Sequence, residues 1–228
     1  MEIYLLFGAI ALVSYAVSAM LKQKFVKYSQ LTLGSGLSGK EVAEQMLADN
    51  GIRNVSVRSV SGYLSDHYNP ANRTVNLSPE VYNGHSVASA AVAAHECGHA
   101  LQHAVAYPWL KMRSQLVPVV SISSRFTQWI LLAGVITVSS FPALLIFGIA
   151  LFALTTLFSF ITLPVEINAS RRATVWLEKR GITDARTAPA ARDALKWAAM
   201  TYVVAALSSL ATLVYYIMIF LNSRRRIN

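Results

Sequence analysis

The stretch "AVAAHECGHALQH", residues 91–103, decides how the chain is read, because it sets three histidines and a glutamate on one stretch of helical spacing. His95 and His99 are four residues apart, so on a helix their side chains share one face with backbones about 6 Å apart. Two imidazoles so placed can bind one zinc ion with bonds of roughly 2 Å. Glu96 follows the first of them and can reach a water at the metal without coordinating it, which is where a general base stands. The approach "SVASAAVAA", residues 86–94, is small and apolar. That helix therefore belongs in a core, where unpaired His and Glu would be costly, and a pair of merely exposed histidines is the poorer account.

A tetrahedral catalytic zinc needs a third protein ligand. His103 lies on the same face but about 12 Å along the helix axis from His95, too far to share the ion. Gln102 and Val105 stand where a turn glycine and a returning histidine would be needed. The remaining candidates are Glu166, Asp66 and His67. Glu166 is the best placed, in "PVEINASRRA" (164–173) at a helix start signalled by Pro164.

Around this motif the chain has the composition of a membrane protein: 54% of its 228 residues are hydrophobic and only 14% charged. Residues 2–21 form a first apolar span, and Lys22, Lys24 and Lys27 follow it rather than precede it. That order suits a retained anchor, N-terminus outside, better than a cleaved signal peptide. Residues 128–163 are too long for one crossing and break at "SSFP" (139–142), predicting a helical hairpin; residues 197–221 predict a fourth crossing. The expected organisation is thus an anchor (1–21), a polar segment (22–127) with the motif helix at 86–104, the hairpin (128–163), a helical segment with Glu166 (164–196), the last span (197–221) and a basic tail (222–228). Ligands of one ion must share one side of the membrane, and the hairpin supplies the even number of crossings between His99 and Glu166.

Of the 20 Lys and Arg, 17 fall in the segments 22–127 and 164–196, which places those segments in the cytoplasm and the site on the cytoplasmic face of the bacterial plasma membrane. The remaining three, Arg224–Arg226, then fall on the outer side, so the tail is the exception to the rule. The basic excess is accounted for by anionic lipid headgroups as partners; without interleaved aromatic and basic residues, nucleic acid is excluded. One cysteine, Cys97, excludes an internal disulfide, and it points away from the histidines as a small buried residue would. The polar segment predicts a helix capped by Ser38 and Glu41 that ends near Asn50, a strand in "VSVRSV" (55–60), and a hairpin turning at "NPAN" (69–72). Ser86 is the expected N-cap of the motif helix. The fold expected is mostly α, about four transmembrane helices with a small α+β, zincin-like domain.

Four pieces, "LSDHYNP" (64–70), "AAHECGHALQH" (93–103), "VEINASRRA" (165–173) and "AAMTYVVAALSSL" (198–210), in this order and spread over most of the chain, resemble the membrane-bound neutral zinc metallopeptidases. More distantly they are similar to the HtpX and CAAX prenyl protease group. The resemblance implies that His95, His99 and Glu166 are zinc ligands, that Glu96 is the base and that the reaction is peptide-bond hydrolysis; the expectation built on it is one zinc per chain and membrane or juxtamembrane polypeptides as substrates. HtpX-like relatives place an aspartate four residues after the ligand glutamate, where it can orient a zinc-bound histidine; here Ser170 stands there, or the role falls to Asn168 or a backbone carbonyl. Those relatives also carry two spans before the zinc helix where this chain has one.

An oxyanion donor must come from His67, Tyr68, His103, Tyr202 or Arg171. Each has a plainer alternative: His67 and Tyr68 can stabilise a turn, Arg171 can touch headgroups, and Tyr202 can seal the helix bundle. The rival to an enzyme is a zinc-binding assembly factor or scaffold, against which an intact Glu96 speaks. A zinc transporter would want polar ligands within its spans, and these offer none.

Overall fold

The structure is a computed structural model and describes residues 2–227. The chain is mostly helical, in the order α1 (Glu2–Ser29), α2 (Gly39–Asp49), β1 (Ser56–Ser59), β2 (His67–Asn69), β3 (Thr74–Leu77), α3 (Pro79–Tyr82), α4 (Val87–Ala104), α5 (Pro108–Ile136), α6 (Pro142–Lys179) and α7 (Ala188–Ile227). Among the described residues four helices, α1, α5, α6 and α7, are long and apolar enough to cross a membrane. Two compact units are formed, one from the chain up to Leu110 with Val165–Thr201, the other from Lys111–Pro164 with the chain from Tyr202 onward.

In the first unit, α2 begins at a complete capping box: Ser38 Oγ accepts the Glu41 N–H, and the Glu41 carboxylate accepts the Ser38 N–H at 2.8 Å. The sheet has the order β1-β3-β2. β2 and β3 form the expected antiparallel hairpin, with Tyr68 opposite Val75, while β1 adds to β3 in parallel. β2 is thereby an edge strand. Val42, Ala43 and Met46 of α2, Val75 and Leu77 of β3, and the alanines of α4 make a closed core, to which α6 adds Ala173 and Leu177 and α7 adds Ala191 and Leu195. Polar ties hold the long helices to this core. Lys24 of α1 pairs with Asp193 of α7 at 2.7 Å, the Tyr28 hydroxyl donates to the same carboxylate, and Trp176 Nε1 donates to Asp49 at 3.0 Å.

In the second unit, α5 and α6 form a hairpin turning at residues 137–141. A Cβ at Gly134 would lie 2.7 Å from Leu145 Cα, so only glycine lets the two helices approach this closely. Hydroxyls on these apolar helices are satisfied within their own turns, as where Thr156 donates to the Phe152 carbonyl and Thr162 to that of Phe158.

One expectation fails. Pro164 does not begin a helix; it lies inside the unbroken α6. A proline removes only one i→i−4 bond, and the buried Val165 and Ala169, the latter packed on Gly98 of α4, hold the turn beyond it.

Candidate metal centre

α4 starts at Ser86, whose Oγ accepts the Ser89 N–H at 3.1 Å. Its alanines bury one flank of the helix, leaving the His95 face turned toward α6. α6 comes close because of Gly98: a Cβ there would lie 2.7 Å from the Ala169 carbonyl oxygen and 3.0 Å from Ala169 Cα. Residues on either side of this contact meet across it. His95 Nε2 lies 3.3 Å and His99 Nε2 3.5 Å from Glu166 Oε2, and the two imidazole rings stand nearly perpendicular, 4.8 Å apart. Glu166 is 2% exposed, which rules out a surface carboxylate with incidental neighbours.

The three donor atoms lie within 4.8 Å of one another. Donors bound about 2.0–2.1 Å from one tetrahedral ion stand about 3.4 Å apart, so the two nitrogen-to-oxygen spacings fit a zinc with an open fourth position. The outer ring nitrogens are held as well. Ser170 Oγ is 3.1 Å from His95 Nδ1 and accepts its proton when Nε2 faces the ion. His99 Nδ1 likewise donates to Gln102 Oε1 at 3.1 Å, and Gln102 Nε2 in turn donates to the Val165 carbonyl and Asn168 Oδ1. Arg172 Nε also donates to Asn168 Oδ1, at 2.8 Å. Gln102 is the member of this arrangement that the sequence reading passed over, although its place one turn beyond His99 is the signal for it.

Glu96 is buried at 8% exposure, and its Oε2 accepts the Tyr68 backbone N–H at 2.9 Å. That N–H projects from the free edge of β2 toward α4. The Tyr68 hydroxyl lies 2.8 Å from His103 Nδ1, one turn past His99. Burial pushes the Tyr68 hydroxyl above its ordinary pKa. His67, which points to the other face of the strand, has both ring nitrogens engaged, Nδ1 with the Ser65 carbonyl at 2.7 Å and Nε2 with Asn76 Nδ2 at 3.2 Å.

Asp66 accepts the Ser78 N–H at 2.7 Å and so stands with the start of α3, not with the two histidines; burial pushes its carboxyl up. Arg171 is exposed, five residues and thus about 140° round α6 from Glu166. Tyr202 belongs to the other compact unit. Cys97 is wholly buried with its Sγ toward the Ala43 carbonyl of α2, and burial pushes its thiol well up, so it is an inert core residue.

A half-buried and a buried histidine converging with a buried carboxylate beside Glu96 define the zinc-peptidase class of site, here with four membrane-length helices among the described residues. The chain belongs to the family described as "Putative neutral zinc metallopeptidase", whose model matches residues 3–221. It is 41% identical over 222 residues, 97% of each chain, to "Putative membrane protease YugP" of Bacillus subtilis (strain 168). No solved structure matches the chain.

Proposed function

We propose that the protein is a membrane-embedded zinc endopeptidase of the gluzincin type, hydrolysing membrane or membrane-proximal polypeptides at the cytoplasmic face of a bacterial plasma membrane. The observation that carries the reading is the convergence of His95 and His99 on the buried Glu166, with Glu96 one residue from the first histidine.

His95 Nε2, His99 Nε2 and Glu166 Oε2 would hold one zinc, which would supply Lewis acidity toward the scissile carbonyl and the attacking water. Glu96 takes the proton of that water and passes it to the leaving amine. The Tyr68 N–H fixes the Glu96 carboxylate for both transfers. The Tyr68 and His103 side chains share a single proton position between them, so in either imidazole tautomer the pair keeps one further donor, the His103 Nε2–H or the tyrosine O–H. That donor suits the oxyanion of the tetrahedral intermediate. Ser170 and Gln102 keep the two imidazoles in the tautomer that presents a bare Nε2.

Seventeen of the 20 basic residues in segments 22–127 and 164–196 support the cytoplasmic placement. The test is Glu96→Gln, purified and scored for zinc content and for cleavage of a peptide library. Zinc retained with cleavage abolished is expected; cleavage that persists would remove Glu96 from the role of base. A wild type that binds zinc and cleaves nothing would favour the scaffold reading.

A further inference from the structure

The segment "SGYLS", residues 61–65, turns its two large apolar side chains outward. Tyr63 is 53% and Leu64 50% exposed. The turn is a made structure: Ser65 Oγ donates to the Gly62 carbonyl at 2.9 Å, Gly62 takes φ +114°, and Leu64 takes φ +55°, a region that side chains other than glycine's enter reluctantly. Its place on the protein says what it meets. The Tyr63 ring stands edge-on to that of Phe25, centroids 6.1 Å apart at 88°. Phe25 lies near the end of α1, a membrane-length helix whose neighbouring positions carry the exposed Lys22, Val26 and Lys27. Lysines and aromatic rings at the end of an apolar helix mark the level of the lipid headgroups.

We propose that Tyr63 and Leu64 insert into the headgroup and acyl boundary of the bilayer that α1 crosses, as a membrane contact of the metal-bearing unit in addition to its membrane-length helices. From Leu64 the chain needs four residues, at most about 14 Å, to reach Tyr68, whose N–H holds Glu96. The contact therefore keeps the Tyr68 edge of the site close to the lipid surface. Resting on the peptidase reading above, it narrows the substrate to polypeptide emerging from the bilayer within that span.

The experiment uses the full chain in phosphatidylcholine and phosphatidylglycerol vesicles, with a nitroxide on Leu64→Cys and, for comparison, on Glu44→Cys of the exposed face of α2. Cys97 is buried and takes no label. Position 64 is expected to collide preferentially with oxygen, position 44 with an aqueous nickel chelate, the ratio differing several-fold. A label at 64 as open to nickel as that at 44 overturns the proposal. So does one shielded from both, as contact with a second copy would leave it. In a second arm, Leu64→Asp should slow cleavage of a lipid-anchored peptide at least fivefold and leave a soluble peptide unchanged; equal loss on both overturns the delivery role. A wild type that cleaves neither peptide counts against the peptidase reading, while the collision ratio still decides the contact.

Discussion

Ser170 Oγ lies 3.1 Å from His95 Nδ1, on the opposite side of the imidazole from Glu166, and Ser170 is one helical turn beyond Glu166 on α6. On the proposed metal reading, one helix offers both a ligand and the group that orients another ligand. Removing such an orienting partner costs about 10- to 100-fold in metal affinity. Ser170→Ala is expected near the lower end of that range, read by competition with a chromophoric chelator, and Ser170→Asp should bind zinc at least as tightly as the wild type.

Gly98→Ala adds a methyl group where Ala169 backbone atoms stand at 2.7 to 3.1 Å. Overpacking of this kind costs about 1–3 kcal/mol, and here it also pushes Glu166 away from the two histidines. The variant should lose several degrees of thermal stability in detergent and most of its zinc, whereas Gly8→Ala, which meets nothing within 4 Å, should lose neither.

Tyr68→Phe and His103→Ala break the same proton-sharing pair without touching His95, His99 or Glu166. Loss of one oxyanion donor costs about 100-fold or more in turnover. Each variant is expected to show that loss in kcat, with KM and zinc content close to wild type, and the double variant little more than either alone. A loss confined to KM would place the pair in substrate binding.

Metal-free protein should respond to pH through His99. Burial pulls its pKa down, but the hydrogen bond and charge of Glu166, with the charge of Glu96, outweigh burial and leave it above 6.5. A folded-state value raised above the unfolded one contributes stability that is complete below about pH 6.5 and is lost as pH rises through the folded value. Chelator-treated protein should therefore lose melting temperature on going from about pH 6 to about pH 8, while zinc affinity rises over the same interval as the ligands shed their protons.

Much of this arrangement is legible in the residues because it is local. The spacing of His95 and His99, the Ser38 and Ser86 caps and the turn at 69–72 are all short-range patterns, and each is matched by an element. The parallel pairing of β1 with β3 joins segments separated in sequence, and alternation within "VSVRSV" says nothing of the partner. Pro164 misleads because the proline rule concerns one hydrogen bond, whereas a long apolar helix has many others to maintain it. In sequence Gln102 stands where a turn glycine would be needed; its link from His99 to Val165 and Asn168 exists only once α6 is packed on α4. Between His67 and Tyr68 the choice falls to strand alternation, fixed by a pairing register that composition does not reveal.

The close seam at Gly98 makes the centre a detector of helix alignment. Glu166 and Ser170 are a turn apart on one helix, as His95 and His99 are on the other, so the two helices mesh at a single setting. Sliding α6 by one turn, about 5.4 Å, would bring the Ser170 hydroxyl where the Glu166 carboxylate belongs, leaving the two histidines without their anionic partner. A displacement of α6 along α4 therefore takes the carboxylate from both histidines at once.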